Sequence, residues 1–386
     1  MVLARAAPRC AEHVDGQLTS PEPHRVTFIQ GADALAPGLS RTQDALITAL
    51  SSEHGFTIRR LRFPSYSYRL LLPYMYGPLP ATTILSRPAL VHLGSSWYSH
   101  LIPLLPVPAI VTCHDLIELD TLRRDPASLE PHRRFHARAM RRGLRHAHFI
   151  ACVSEATARR VASHLPETSN RIRVIYNGVS PAFSPDPAAI APRLAGVARP
   201  PYVLYVGSEQ ERKNLDRLAA AIAIAARDEP RLRFVKVGMH QTIEGRARFE
   251  AALRREGLEE RTTIIGGVTD EELAVLYRYA SATVLVSLEE GFGFPALEAM
   301  ACGCPAIVSN RGALQEITGE SALQVDPYDV RAIAAAIAST LSNTGLQRRL
   351  SIEGPARAAH FTWSRAARQY AALYVEALSW RQAVGT

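Results

Sequence analysis

Short apolar runs alternate with longer amphipathic segments along this chain, and the whole alternation occurs twice. The first series begins at Arg25–Gln30 and ends at Arg173–Tyr176, and the second runs from Tyr202–Val206 to Ala322–Val325. Apolar runs of four to six residues separated by helical segments are typical of parallel α/β sheets. The sequence therefore predicts an α/β fold with two Rossmann-like, doubly wound domains that face each other across a cleft.

Between the two series, the segment 181–201 contains six prolines and predicts a linker. A length of 386 residues also suits two domains. The predicted parts are a flexible N-terminal tail (1–24), a first domain (25–180), the Pro-rich linker (181–201), a second domain (202–362) and a C-terminal helix (363–386) that packs back on the first domain.

The same patterns predict individual elements. In the first half, further strands are expected at Thr57–Arg62, Leu90–Leu93, Ala109–Cys113 and Phe149–Val153, with a helix at Arg41–Glu53. In the second half, strands are expected at Arg233–Val237, Thr262–Ile265, Ala282–Val286 and Pro305–Val308, with helices at Pro295–Ala301, Val330–Ser342 and Ser364–Trp380. Tyr370, Tyr374 and Trp380 are expected on the buried face of the last helix.

Composition narrows the class of protein. Apolar residues make up 47% of the chain and charged residues 21%, which is typical of a globular protein. No apolar run reaches the ~18 residues of a membrane span, and the first 23 residues contain no signal peptide core. The five scattered cysteines, including Cys302 and Cys304, predict buried apolar filling in a reducing cytoplasm rather than a metal site.

The excess positive charge is concentrated in one region. The chain carries a net charge of +8, and between Thr121 and Arg173 twelve arginines face four acidic residues. Six of these twelve arginines lie in Pro131–Phe149, a segment that predicts a helix. This helix could present an ordinary solvated face, or it could contact anionic lipid headgroups on the cytoplasmic face of a membrane or a phosphate-bearing acceptor. Nucleic acid is not expected, because no aromatic residues are interleaved with the charges.

The segment Ser287–Asn310 is the most informative for function. A strand ends near Ser287, and an acidic loop with two glycines leads into a helix that begins near Pro295. Gly291 and Gly293 would let the backbone approach a ligand, and the helix N-terminus behind them favours anions such as a diphosphate. Glu290 and Glu298, which flank this loop, are expected on one wall of the cleft as acceptors for sugar hydroxyls.

A second candidate segment is Val203–Leu215, where a buried strand ends at Gly207 and Arg212 and Lys213 follow. The chain contains only two lysines, Lys213 and Lys236, against 42 arginines. A guanidinium and an ammonium group beside a strand end suit a diphosphate leaving group. Asn214 is expected to cap the helix that follows.

A third segment, Ala109–Leu116, places His114 at the end of a strand in the cleft. Ligands of doubly wound sheets bind at the carboxyl ends of strands. We therefore expect His114 to form a hydrogen bond with a sugar hydroxyl or a phosphate rather than to act as a base.

These segments carry a family resemblance. Residues 290–303, Glu-Gly-Phe-Gly-Phe-Pro-Ala-Leu-Glu-Ala-Met-Ala-Cys-Gly, resemble the Glu-x7-Glu signature of the family-4 retaining glycosyltransferases of GT-B fold. Residues 207–215 resemble that family's Gly-Thr-x-x-x-Arg-Lys-Asn-Leu variant, although Ser208 occupies the position where another variant has a third cation. Residues 111–116 are similar to Val-Thr-x-His-Asp-Leu, whose His lies beside the donor sugar.

Weaker similarities extend over about residues 25–380. Residues 38–41 resemble a Gly-Ile-Gly-Arg loop that packs under the diphosphate in mannosyltransferases. Residues 152–155 and 174–179 match the closing strands of the first domain, and residues 311–316 resemble a Gly-Gly-x-x-Glu turn. The resemblance implies catalytic roles for His114, Glu290, Lys213 and Arg212, and donor binding by Gly38, Gly207, Arg212, Lys213, Gly291, Phe292, Gly293, Phe294, Glu298 and Glu316.

The resemblance implies an activity, with the first domain binding the acceptor and the second binding a nucleotide-sugar. It implies a retaining transfer without a metal, and the chain contains no Asp-x-Asp string of the kind that holds metals in other glycosyltransferases. GDP-mannose is the expected donor, with UDP-glucose or UDP-N-acetylglucosamine as the alternative, and a glycan or a lipid-linked sugar is the expected acceptor. An NAD-dependent enzyme is not expected, because the first loop of neither half contains Gly-x-Gly-x-x-Gly. A nucleotide-sugar epimerase would share the architecture but not the pairing of the Arg-Lys-Asn and Glu-x7-Glu motifs. A non-catalytic nucleotide-sugar-binding or glycan-binding protein is the alternative of a different class.

Overall fold

The computed structural model describes residues 23–31, 37–62, 77–239 and 242–384. The tail predicted for residues 1–24 therefore lies outside the described residues up to position 22. The described chain forms two six-stranded sheets, and every strand pair in both sheets is parallel. This confirms the predicted α/β fold of two doubly wound sheets.

The first sheet has the strand order β2-β1-β3-β4-β5-β6. Its central strands are buried on both faces by helices, which explains why they consist of continuous apolar runs rather than alternating patterns. The strands are β1 (His24–Gln30), β2 (Phe56–Arg62), β3 (Leu90–Leu93), β4 (Ala109–Cys113), β5 (Phe149–Cys152) and β6 (Ile172–Val174). The α-helices of this half are α1 (Pro37–Leu50), α2 (Pro78–Leu85), α3 (Ile117–Arg124), α4 (Pro131–His146) and α5 (Glu155–His164).

The second sheet has the order β12-β11-β10-β7-β8-β9. Its strands are β7 (Tyr202–Val206), β8 (Arg233–Val237), β9 (Thr262–Ile265), β10 (Ala282–Leu285), β11 (Ala306–Ser309) and β12 (Leu323–Val325). The α-helices are α6 (Leu215–Asp228), α7 (Ile243–Arg255), α8 (Asp270–Tyr279), α9 (Phe294–Ala301), α10 (Gly312–Thr318), α11 (Val330–Ser342), α12 (Thr344–Ala358) and α13 (Trp363–Val384).

The predicted elements differ from the observed ones mainly at their ends. The first helix begins at Pro37 instead of Arg41, because proline is well suited to the first turn of a helix. The Pro-rich segment is not a free linker, since Leu194 and Ala198 are buried in the core beneath the second sheet. Cys302 and Cys304 are buried in the same core, as expected of apolar filling.

The last helix, α13, crosses back to the first sheet. Tyr370 and Tyr374 are buried there, and the Tyr374 hydroxyl lies 2.6 Å from Nδ1 of His92 in β3. The prediction that Trp380 is buried was wrong, because its side chain is 47% exposed. Its ring makes an edge-to-face contact with His148. Within the part of the chain that is described, no helix is both long and apolar enough to cross a membrane.

Candidate active site

The carboxyl ends of the two sheets meet at the loop that follows β10. A Cβ atom added to Gly291 would lie 1.9 Å from the carbonyl oxygen of His114, which follows β4. The Ser154 hydroxyl, after β5, donates a hydrogen bond to the Gly291 carbonyl at 2.8 Å. Glycine is therefore required at position 291 because the backbones of the two halves touch there.

Three of the predicted catalytic residues form one cluster. The Lys213 ammonium group lies 2.5 Å from Oε1 of Glu290, and the Arg212 guanidinium lies 3.3 Å from Oε2. The Ser287 hydroxyl donates a further hydrogen bond to Oε1 at 2.8 Å. Two cations thus share one carboxylate, which leaves the cluster with a net positive charge.

The Glu290 carboxylate stays ionised although it is almost fully covered. Burial alone would raise the pKa of Glu290, but Lys213 and Arg212 outweigh this effect and hold the pKa below its ordinary value. Since the carboxylate remains charged near neutral pH, it keeps both cations oriented. Their positive charge then faces a partly exposed space, because the Lys213 and Arg212 side chains are 12% and 26% exposed.

Backbone contacts hold the two loops of this cluster together. The Leu288 amide donates a hydrogen bond to the Arg212 carbonyl at 2.8 Å. Asn214, which we expected to cap the next helix, has a left-handed backbone with φ of 61° and makes no capping bond. Its side-chain amide donates instead to the carbonyls of Val286 and Pro327, so it fastens the loop after β7 to β10.

The glycine at the end of β7 leads into a tightly packed loop. Gly207 has φ of 148°, and a Cβ atom there would lie 2.7 Å from the Tyr205 hydroxyl. Farther along this loop, the buried Glu209 carboxylate lies 2.6 Å from Nζ of Lys236 and 2.8 Å from the Arg246 guanidinium. The second lysine of the chain therefore anchors the loop that precedes Arg212.

Glu298, the second acid of the signature, has partners from both halves of the molecule. Its Oε1 lies 3.0 Å from the Arg41 guanidinium in α1, and the Tyr277 hydroxyl donates to Oε2 at 2.9 Å. Arg41 also forms an ion pair with Asp270. Burial raises the pKa of Glu298, and Arg41 opposes this effect only in part. Glu298 and Glu290 thus belong to separate networks.

The His114 ring has a defined tautomer. Nε2 lies 3.0 Å from the carbonyl oxygen of Gly94, and a carbonyl only accepts hydrogen bonds, so Nε2 carries the proton. Burial lowers the pKa of His114 and thus keeps the ring neutral, which leaves Nδ1 as an acceptor. A neutral acceptor can bind a sugar hydroxyl but not a phosphate oxygen, because a phosphate oxygen offers no proton. Of the two partners that the sequence left open for His114, the structure therefore favours the sugar hydroxyl.

The two aromatic residues of the signature pack against each other, one of them buried and the other partly buried. Phe292 is buried, and its ring centroid lies 4.9 Å from that of Phe294. Phe294 stacks on Trp363 at the start of α13. Gly293 has φ of 98° at the start of α9. The side chain of Phe292 therefore packs into the core beneath this loop and is not accessible to a ligand.

Two predicted donor-binding residues lie in unexpected surroundings. Gly38 is in the first turn of α1 rather than in a loop, and a Cβ atom there would meet no described atom within 4 Å. Both oxygens of the Glu316 carboxylate accept hydrogen bonds from backbone amides of the first half, at Glu155 and Ala156.

Sequence reasoning missed Arg41 and Tyr277 as partners of Glu298. Arg41 is the last residue of the motif at 38–41, but its partner Glu298 lies 257 positions away and no local pattern links the two. The second lysine, Lys236, was a detectable signal, because a lysine within a strand of a lysine-poor chain indicates a buried partner. Among the described residues, no group of three or more His, Cys, Asp or Glu side chains is arranged to hold a metal ion.

Two family models match this chain. The model described as "Glycosyltransferase Family 4" matches residues 18–183, and the model "Glycosyl transferases group 1" matches residues 190–357. The first match coincides with the first sheet, and the second covers the second sheet with Lys213, Glu290 and Glu298.

Named relatives and a solved structure agree with these models. The O-antigen chain mannosyltransferase B of Escherichia coli is 29% identical over 269 residues, which cover 68% of each chain. The MMP alpha-(1->4)-mannosyltransferase of Mycolicibacterium hassiacum is 30% identical over 238 residues, 60% of this chain and little more than half (54%) of that protein. The structure of Anabaena Alr3699/HepE in complex with UDP and glucose matches with a TM-score of 0.71 and 17% identity, over 92% of this chain and 100% of the other.

The tautomer of His114 predicts the pH dependence of activity. Because its pKa lies below 6.5, kcat/KM should stay level as the pH falls through 6.5 and should decrease only at lower pH, where Nδ1 gains a proton. The same shift means that the unfolded chain takes up this proton first, so the contribution of His114 to stability is lost as the pH falls below 6.5.

A pH–rate profile of the wild type and of His114→Asn tests this assignment. The variant should have a lower plateau and should lack the acidic limb, whereas His360→Asn, which changes an exposed histidine, should retain it. An acidic limb centred above 6.5 that disappears in His114→Asn would show that the ring acts in its protonated form.

Proposed function

Because the chain belongs to glycosyltransferase family 4 and has the GT-B fold, we propose that it transfers mannose from GDP-mannose to a glycan or lipid-linked acceptor. The observation that carries this proposal is the cluster in which Glu290 orients Lys213 and Arg212 at the carboxyl end of β7. The mannosyltransferases among its relatives favour mannose as the sugar.

The cluster suits the leaving group of this reaction. As the bond between C1 of the sugar and the diphosphate oxygen breaks, negative charge develops on the phosphate. Oriented cations in a partly covered site stabilise that charge strongly, because they need no reorganisation. Arg212 and Lys213 supply the positive charge in our proposal, and no metal ion is required.

The contacts of the Glu290 carboxylate are consistent with retention of configuration without a covalent intermediate. Glu290 is bound to two cations and a hydroxyl group, so it is a poor nucleophile for a covalent intermediate. We propose that the acceptor oxygen attacks C1 from the face that the diphosphate leaves. The departing phosphate oxygen takes the acceptor's proton, so no protein base is needed.

The sugar and the nucleotide would contact separate networks. His114 would accept a hydrogen bond from a sugar hydroxyl through Nδ1. Both Glu298 oxygens are engaged, by Arg41 and Tyr277, so Glu298 would accept a hydroxyl of the nucleotide-sugar only by exchanging its contact with Arg41 for it. Beyond the end of β8, Met239 is 64% exposed and packs against the backbone at Gly266. The preceding residue, Gly238, lies against the loop after β7, because a Cβ atom there would be 2.8 Å from the Gly207 carbonyl oxygen. An exposed apolar side chain at this edge of the second sheet is suited to a nucleobase, whose ring is largely apolar.

A UDP-linked sugar is the second candidate donor. The matching HepE structure contains UDP and glucose, although its 17% identity shows a shared fold alone. Guanine and uracil differ in size and in hydrogen-bonding groups, while the diphosphate cluster would serve either. The nucleobase of the donor therefore has to be identified by comparing GDP-linked and UDP-linked sugars directly.

A donor panel measured in EDTA tests this function. The wild type should transfer mannose from GDP-mannose with EDTA present, and Lys213→Ala should lower turnover by about 100-fold or more because an oriented charge partner is lost. Arg227→Ala, which removes an exposed cation from α6, is the control and should leave turnover unchanged. Transfer from UDP-sugars and not from GDP-mannose would show that the donor is a UDP-sugar. Complete loss of activity in EDTA, with recovery on adding Mg²⁺, would refute the metal-free mechanism.

We also propose that the protein is cytoplasmic and that helix α4 holds it on an anionic membrane surface where a lipid-linked acceptor is presented. In α4, Arg133 and Arg145 form ion pairs with Glu118 and Glu167. Arg134, Arg138 and Arg142 form no ion pair with any described residue, and Phe135 on the same helix is 61% exposed. A helix that combines unpaired arginines with an exposed aromatic ring is suited to a headgroup layer.

Vesicle binding tests the membrane proposal. The wild type should co-sediment with vesicles that contain anionic lipid at low salt and should detach at high salt, because the attraction is electrostatic. The triple variant Arg134→Gln, Arg138→Gln, Arg142→Gln should lose this binding. Its control, Arg227→Gln, Arg331→Gln, Arg348→Gln, removes the same charge from the second half and should bind normally. Equal binding of the wild type to neutral vesicles would contradict the proposal.

A further inference from the structure

Two sequence motifs that the transfer chemistry does not use meet each other between the two halves. Glu316 follows the Gly-Gly-like turn in α10, and residues 152–155 end β5 and begin α5. Oε1 of Glu316 accepts a hydrogen bond from the Glu155 amide at 2.7 Å, and Oε2 accepts one from the Ala156 amide at 3.0 Å. These amides belong to the first turn of α5, where no acceptor exists within the helix itself.

The chemistry of this contact favours a strong interaction. A carboxylate at a helix N-terminus is attracted by the helix dipole, and charge-assisted hydrogen bonds are shorter and stronger than neutral ones. Ser154 completes the end of the helix, because its hydroxyl accepts a hydrogen bond from the Thr157 amide at 3.0 Å. The amide groups in the first turn of α5 thus find acceptors in both halves of the molecule. Ser154 in the first half accepts from Thr157, and Glu316 in the second half accepts from Glu155 and Ala156.

The backbone at Glu316 is also held in place by hydrogen bonds. The Arg357 guanidinium in α12 donates hydrogen bonds to the carbonyls of Glu316 and Ile317, each at 2.9 Å. Tyr176, at the end of the first sheet, lies beside the same carboxylate, and burial together with Glu316 raises the pKa of Tyr176. The position of the carboxylate is therefore determined from both sides of the contact.

The same helix also holds the loop after β10. The hydroxyl groups of Ser154 and Thr157 donate hydrogen bonds to the Gly291 carbonyl at 2.8 Å and 3.2 Å. One turn later, Arg160 forms an ion pair with Glu289. Helix α5 therefore contacts Glu316 at its first amides and the Glu289–Gly291 loop along its side.

We propose that Glu316 and helix α5 form a clasp that sets the position of the Glu290–Lys213 cluster relative to His114, and that Glu316 is a positioning residue rather than a nucleotide ligand. This inference rests on the proposed function, because it concerns the geometry of the same transfer site. Both Glu316 oxygens are engaged by first-half amides, so a nucleotide would have to break two hydrogen bonds to reach them. Loss of the clasp lets the two halves separate and misaligns donor and acceptor.

Variants at position 316 separate positioning from nucleotide binding. In Glu316→Gln and Glu316→Ala, kcat should fall about tenfold or more, because a small misplacement of reacting groups is costly. The Kd values of GDP and UDP, measured by calorimetry, should change by less than about twofold, because the cluster of Arg212, Lys213 and Glu290 is unchanged. Hydrogen exchange should accelerate at both the Glu155 and Ala156 amides in Glu316→Ala, which removes both acceptors, and at one of the two in Glu316→Gln, which keeps a single acceptor oxygen.

Matched variants complete this test. Glu320→Gln changes a carboxylate four positions away and should leave exchange and kcat at wild-type values, while Arg160→Gln should lower kcat as Glu316→Gln does, without altering the Kd values. Weaker nucleotide binding with unchanged amide exchange would overturn the clasp and make Glu316 a ligand. Faster exchange with an unchanged kcat would also overturn it. If the wild type transferred no sugar from any donor, the proposed function would fail, whereas wild-type amide exchange in both variants would refute the contact itself.

Discussion

The buried ion pair between Glu290 and Lys213 is the interaction on which the rest of the site depends. A buried carboxylate without a partner is strongly unfavourable, so the loops that carry the two residues must come together for either to be covered. The sheet makes this possible, because β10 pairs in parallel with β7 and both loops leave the same edge. Asn214 then fastens the loops through Val286 and Pro327.

The first half of the molecule completes the site by contacting that cluster through its neighbours. Gly291 lies against the His114 carbonyl, Arg41 crosses to Glu298, and α5 receives the Glu316 carboxylate. The first contact involves the loop after β10, and the other two involve the helices α9 and α10 that carry Glu298 and Glu316. The candidate site therefore spans both halves of the molecule, and we expect a change in these contacts to affect its geometry.

The sequence predicted the fold well, for physical reasons that act locally. Strands such as Leu90–Leu93, Ala109–Cys113 and Tyr202–Val206 agree with the structure to the residue, because buried parallel strands need continuous apolar runs. The strand-end positions of Arg212, Lys213 and Glu290 were predicted as well, but not the ion pairs among them, since Glu290 was expected beside Glu298 as an acceptor for sugar hydroxyls. The pairing of Arg41 with Glu298, the burial of Phe292 and the first-half partners of Glu316 could not be predicted. These features depend on contacts between segments far apart in the sequence, and no local pattern encodes those contacts.

The central claim is that Glu290 orients Arg212 and Lys213 to bind a diphosphate without a metal. Its most direct test is calorimetric titration of nucleoside diphosphates and the matching monophosphates into wild type and Glu290→Gln, with EDTA present. The account predicts that the wild type binds the diphosphate more tightly than the monophosphate, and that this preference falls by about tenfold or more in the variant, because the cations lose their orienting carboxylate. An unchanged preference in Glu290→Gln, or a wild type that binds both nucleotides equally, would contradict it.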